Sequence, residues 1–279
     1  VIVAGSTEGE WIENRPSAGR RALALDELWR ARELVGFLAL RDVKVRYKQA
    51  IFGGAWAVVQ PLVGAAVFTF VFGRLANVPS DGIPFLVFAF AGFSLWSYFS
   101  MALNSARGSL LSNAPLVTKV YFPRLAAPVA SVLPGLVDLA VAIVVLGGML
   151  MWRDVTPGLP LLLAPVFLLA TVATALGVGT FSAALVVQYR DVQQVFGFVV
   201  QAWLFATPVA YPASLVEGGW RWLYHVNPMV GIVEGWRWSL LGAPAPSRHA
   251  VLSFVSVLVF LVIGARVFQR TERRFADVI

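Results

Sequence analysis

Six stretches of this chain run for about 18 residues or more with almost no charge, and no other feature limits its possible folds so strongly. They fall at about 52–72, 84–106, 125–152, 159–187, 192–209 and 250–268. Lipid offers no partner to a free backbone N–H or C=O, so a segment that crosses it singly must be a helix. The composition agrees. The 279 residues are 58% hydrophobic and 13% charged, whereas a soluble domain is about 45–50% apolar and about 25% charged. The expected fold class is an all-α membrane protein with six transmembrane helices. Pro61 should kink the first span. The third and fourth exceed a core of about 30 Å, so they should tilt, bend or protrude, the third at Pro128 and Pro134.

Charge placement sets the topology. With the N-terminus inside, all but five of the 22 Lys and Arg residues fall on the inner face. The exceptions are Arg74, Arg153, Arg221, Arg237 and Arg248. Such an excess marks the cytoplasmic side, so both termini are expected there. The net charge of +7 could suggest nucleic acid. The basic residues instead flank the apolar runs, where they suit topology control and anionic headgroups, so no nucleic-acid partner is expected.

Residues 1–25 are polar, mixed in charge and without a basic-then-apolar leader pattern, and read as a flexible cytoplasmic tail. Residues 26–50 read as an amphipathic interface helix. Asp26, Arg30, Glu33, Arg41, Lys44 and Lys48 share one face, and Trp29, Gly36, Leu40, Val43 and Tyr47 form part of the other, with Leu28, Val35 and Ala39 beside them. Arg32, Asp42 and Arg46 interrupt the apolar side and either contact protein or snorkel. Residues 51–279 form the six-span domain.

Between the second and third spans lies RGSLLSNAPLVTKVYFPR, residues 107–124, whose only charges are Arg107, Lys119 and Arg124. Ser112 and Asn113 can cap a helix, Pro115 suits a first turn, and Pro123 stops the helix. A short stiff helix at about 112–122, joined to two spans, can carry a push from a soluble partner into the membrane. Residues 212–241 are too broken for a span and too apolar for an aqueous loop. Trp220, Trp222, Tyr224, Trp236 and Trp238 suit the membrane interface, and Asn227-Pro228 turns the chain. A re-entrant hairpin in the outer leaflet is expected, serving as a gate or as a passive anchor.

Chemistry of other kinds is missing. There are no cysteines, and His225 and His249 lack metal-site spacing, so no metal is expected. No Gly-Lys pair occurs, which removes the phosphate-binding loop of an ATPase. Catalytic residues are therefore none; His225 with Glu217 or Glu234 is the best acid–base pair available to a transferase. Asp138 is the one acid deep in a span, a transport group or a hydrogen-bonding partner for a neighbouring helix. Phe88, Trp96 and Phe99 in the second span and Phe196 and Trp203 in the fifth offer faces on which sugar rings can stack, or else pack against lipid. Asn104, Ser105, Gln193, Gln194 and Gln201 offer polar groups along such a path or pair between helices.

Five segments in order carry a family resemblance: LRDVKVRYKQAIFGGAWAVVQPL, NAPLVTKVYFPR, YRDV at 189–192, TPVAYP, and HVNPMVGIVEGWRW. Together they resemble the permease subunits of type-2 ATP-binding-cassette exporters of O-antigen, capsule and teichoic acid, over nearly everything after Asp26. The resemblance implies a homodimer bound to two copies of a separate nucleotide-binding subunit. ATP and Mg would be held there and no cofactor on this chain, which is then no enzyme. It implies that Asn113, Leu116, Lys119, Val120, Tyr121 and Phe122 form a coupling helix, with Arg190 and Asp191 as a second contact unless Asp191 caps the next helix. It makes Arg41, Asp42, Arg46 and Tyr47 part of an interfacial gate helix, and Trp220, Tyr224, Asn227, Glu234 and Arg237 part of an outer gate. The implied cargo is a lipid-linked polysaccharide crossing a bacterial cytoplasmic membrane. An ion-coupled carrier, or export of a drug or small lipid, are the competing expectations.

Overall fold

The computed structural model describes residues 25–48, 55–119, 123–153, 155–189 and 191–278. The N-terminal tail up to residue 24, Val120, Tyr121, Phe122 and Arg190 lie outside those residues. Every regular element among the described residues is helical. In order these are α1 (Leu25–Arg30), α2 (Arg32–Lys48), α3 (Ala55–Phe68), α4 (Phe85–Ser112), α5 (Ala114–Lys119), α6 (Ala126–Val132) and α7 (Pro134–Trp152). There follow α8 (Ala164–Gln188), α9 (Val192–Phe205), α10 (Trp220–His225), α11 (Pro228–Leu241) and α12 (Ala250–Val278). A π-helical segment, Thr69–Leu75, prolongs α3, and a 3-10 turn, Leu159–Leu163, precedes α8.

Among the described residues five segments are long and apolar enough to cross a membrane: Ala55–Leu75, Phe85–Ser112, Ala126–Trp152, Leu159–Gln188 and Ala250–Glu272. The fifth expected span, 192–209, is instead the shorter apolar helix Val192–Phe205, of 14 residues. At about 1.5 Å per residue it rises about 21 Å. The proline expectations resolve differently at each site. α3 continues through Pro61, and its irregularity comes eight residues later in the π-helical turns. Pro134 divides the third span into α6 and α7, because a proline supplies no N–H to the preceding turn.

The helix α4 is the axis of the bundle and packs against α3, α6, α7, α8 and α11. Its Phe90, Leu95, Phe99 and Leu103 are fully enclosed. The most extensive contact is α8 against α12, and it depends on glycine. A Cβ at Gly177 would lie 2.7 Å from the Phe260 carbonyl carbon and the Leu261 nitrogen, and one at Gly264 would strike the Gly177 carbonyl oxygen. In lipid, small residues are what let two backbones approach so closely, since the medium supplies no hydrophobic drive between helices. By contrast α3 and α9 turn broad apolar faces outward, with Trp56, Val63, Val67, Val195, Phe198 and Phe205 all exposed on the single chain.

The surface helix corrects the sequence reading. It is two helices, α1 and α2, meeting at Ala31, and only part of the expected apolar side, Leu28, Val35 and Ala39, packs against the bundle. Trp29 and Leu40 are 71% and 61% exposed, whereas Leu38 and Ala39 are buried and Leu34 and Val35 pack beside them. The reason is polar. Arg46, one of the expected interruptions, pairs with Asp138, and Arg41, expected on the charged face, bonds Asn113, so α2 turns these two residues toward the bundle.

Candidate functional site

An open groove of about 790 Å³ lies between α2, α3, α4 and α7. Its α4 wall carries Ser94, Ser97, Ser100, Asn104 and Ser105, which recur at three- and four-residue spacing and so line one side of a helix. Trp56, Phe93, Trp96, Tyr98 and Gln60 complete a surface that alternates rings with hydroxyls and amides. Flat rings beside hydroxyl and amide groups suit a sugar, which shows an apolar face and a polar edge.

At one end of this groove stand Arg46, Tyr47 and Asp138. Arg46 Nη2 lies 3.0 Å from Asp138 Oδ2, and the Tyr47 hydroxyl donates to Asp138 Oδ1. Desolvation, then the hydrogen bond to Asp138 and its charge, push the Tyr47 pKa up to about 12, so Tyr47 remains a donor at physiological pH. The intramembrane acid is thus held by two side chains of α2, which answers the choice left open for it in favour of a hydrogen-bonding role in this state.

The α4–α5 corner is tied to the same surface helix. Arg41 Nη2 donates to Asn113 Oδ1 at 2.8 Å, and the Asn113 amide donates to the Ser109 carbonyl at 2.8 Å. Arg41 also pairs with its neighbour Asp42 at 2.7 Å. Leu116 packs in one apolar cluster with Leu34, Val35, Leu38 and Ala130. Lys119 ends α5. Asp191 is exposed at the start of α9, and its side chain makes no capping hydrogen bond, which removes capping as its role.

Of the five aromatic residues expected along a sugar path, only Trp96 lines the groove. Phe88 and Phe99 are 1% and 0% exposed, and both are interior packing residues of the protomer. Phe196 and Trp203 are partly buried against the core, with Trp203 edge-on to Phe99 at 5.3 Å. The serines of α4 were the better guide: their helical spacing is visible in the sequence, but hydroxyls in an apolar run read as ordinary interhelical hydrogen bonds.

At the other end of the bundle α10 and α11 meet at Asn227 and are held by a dense polar network. Asn227 Oδ1 accepts from the Met229 amide at 3.0 Å, capping α11, and from Trp203 Nε1 at 2.8 Å. Its Nδ2 donates to the Ala206 carbonyl and the Thr207 hydroxyl. Arg237 is buried and donates to the carbonyls of Pro208, Val209 and Phe88 at 2.6, 2.5 and 3.2 Å, with its guanidinium 3.5 Å from the Phe88 ring centre. Tyr224 bonds Tyr211 at 3.1 Å, while Trp220 is 72% exposed.

His225 Nδ1 lies 2.8 Å from the Arg221 carbonyl, which can only accept. Its Nε2 lies 3.2 Å from Glu234 Oε2 and 3.1 Å from the Ser247 hydroxyl. Burial raises the Glu234 pKa against the opposing pull of His225, Arg221 and Arg237. The His225 side chain is only 3% exposed and, with Glu234, lines a small pocket of about 140 Å³. Among the described residues no three metal-binding side chains come together.

The family model described as ABC-2 type transporter matches residues 33–241. An O-antigen export system permease protein, RfbA, of Klebsiella pneumoniae is 22% identical over 88% of this chain and 95% of its own length. Its counterpart in Myxococcus xanthus is 26% identical over 90% of this chain and 97% of its own. The polysialic acid transport protein KpsM of Escherichia coli is 23% identical over 84% and 92%. With five apolar helices long enough to cross a bilayer, the chain is a multi-pass membrane protein.

Proposed function

The chain belongs to the ABC-2 type transporter family, and from that premise we propose that it is the membrane subunit of an exporter of lipid-linked polysaccharide. The observation that carries this reading is the near full-length match to permeases named for O-antigen export, joined to a groove of rings and hydroxyls. Two copies form the path, and two separate ATPase subunits drive it, with ATP and Mg bound there and no cofactor on this chain. The protein sits in a bacterial cytoplasmic membrane with both termini inside. α9 serves as the fifth of six spans, α2 lies at the inner interface, and α10 with α11 forms a re-entrant outer gate.

In this reading α5 is the coupling helix. The partner ATPase grips Lys119, Val120, Tyr121 and Phe122, with Arg190 and Asp191 as a second contact, and its closure on ATP moves α5. An ion-coupled carrier finds little support, because Asp138 is already engaged by Arg46 and Tyr47. The test replaces Lys119 and Tyr121 with alanine. The variants should reach the membrane normally, fail to stimulate the partner's ATP hydrolysis and lose surface polysaccharide. Normal export with normal stimulation would sink the coupling assignment.

A further inference from the structure

None of the described residues of α5 lines the groove, so a push at α5 must reach it through another element. One route is α4, which is joined to α5 at Asn113 and forms a wall of the groove; a second runs through α2. Near its start α2 shares an apolar cluster with Leu116 of α5 and Ala130 of α6, in which Leu38 and Ala130 are almost fully buried. At its middle Arg41 is hydrogen-bonded to Asn113, the residue that joins α4 to α5. Near its end Arg46 and Tyr47 hold Asp138 of α7 at the groove.

The two ends of α2 differ in kind. The α5 end is close-packed hydrocarbon, which moves as a unit because any separation leaves voids. The groove end is an ion pair and a hydrogen bond, with the Arg46 side chain 42% exposed. Water can replace these contacts at small net cost, so they can open and re-form. We infer that Arg46, Tyr47 and Asp138 form a latch between α2 and α7, which breaks as α5 carries α2 and so times the widening of the groove. This rests on the exporter reading and adds a residue-level route to it. Arg46 and Tyr47 are positioning residues, since they act through Asp138 and α7.

The test uses the full permease with its ATPase, in vesicles of phosphatidylethanolamine and phosphatidylglycerol, and the native host for export. Tyr47→Phe removes the hydroxyl, and Asp138→Asn removes the ion pair while leaving an oxygen for Tyr47. Either should raise ATP turnover without cargo roughly three- to tenfold, the range set by one net hydrogen bond, and lower surface polysaccharide per ATP by a similar factor. The chain has no cysteine. Arg46→Cys with Asp138→Cys therefore gives a unique pair for a reducible bis-thiosulfonate bridge. Bridging should stop export in the host, and reduction should restore it to the unbridged level, which a merely folding role would not do. Export that survives bridging, or wild-type ATP turnover in both loosened variants, overturns the latch. Surface polysaccharide that persists when the permease gene is deleted overturns the exporter reading itself, and the latch with it.

Discussion

Asn227 offers the most exposing test of the α10–α11 hairpin, because one amide serves three segments. Its oxygen caps α11 at the Met229 amide and accepts from Trp203 Nε1, and its nitrogen donates to Ala206 and Thr207 at the end of α9. Asn227→Ala removes a cap, at about 1 kcal/mol. It also leaves the Trp203 indole N–H without this acceptor, at about 1–3 kcal/mol. Two further acceptors lose a donor, but carbonyls and hydroxyls recover partners more readily. A total of about 3 kcal/mol is therefore expected, confined to the hairpin. Amide hydrogen exchange followed by mass spectrometry reads this locally. Peptides covering 228–233, which include the Gly231 amide bonded to Ser253, should exchange roughly 100-fold faster, while those of α4 stay unchanged. Asn227→Asp keeps both acceptor contacts and loses only the donors, so it should fall between the two. An increase of less than about threefold in Asn227→Ala would refute the reasoning, since it would mean the polar network does not hold the hairpin.

Two further expectations concern packing and charge. Gly177→Ala should lower the unfolding temperature of the detergent-purified protein by an amount equivalent to about 2 kcal/mol, because the new Cβ meets the backbone of α12, whereas Gly147→Ala, with open space around it, should not. Burial holds the Glu234 carboxyl above its ordinary value of 4.5. The folded state therefore binds that proton more tightly than the unfolded one. The stability it contributes is complete below about pH 4.5 and is lost as pH rises through the folded value. An unfolding-temperature profile from about pH 4 to about pH 8 should carry this downward component, and Glu234→Gln should remove it; identical profiles would refute the assignment.

The apolar runs and the turn residues were legible because each acts on its own neighbourhood. Asn227 before Pro228 starts α11, and Gly242, with φ 67°, ends it in the left-handed conformation that glycine adopts freely. Such signals need no knowledge of the rest of the fold. The groove was less legible, because its walls come from α2, α3, α4 and α7, and only the fold brings Gln60, Asn104 and Asp138 to one surface. Aromatic content misled for a related reason. A phenylalanine in a span suits lipid, a sugar path or a core equally by composition, and only packing separates Phe88, beneath Arg237, from Trp56 on the groove wall.

The surface helix shows how a charge pattern is decided by its partners. Read alone, Asp42 and Arg46 spoil the apolar side of α2 and invite a snorkelling assignment, while Arg41 belongs to its charged face. Burying an unpaired charge would indeed be costly, so an isolated helix would keep that side in water. Asn113 and Asp138 reverse the sign of the argument, because each supplies an acceptor at hydrogen-bonding distance. Those two residues stand 72 and 92 positions away from Arg41 and Arg46 in the chain. Leu40 and Trp29 are left uncovered as a consequence, and an apolar face freed in this way, at the edge of an apolar bundle, suits the bilayer boundary. Arg41 and Arg46 of α2 thus reach protein partners while Lys44 and Lys48 stay exposed, and Leu34, Val35, Leu38 and Ala39 pack inward, so one element touches both the α5 corner and the groove.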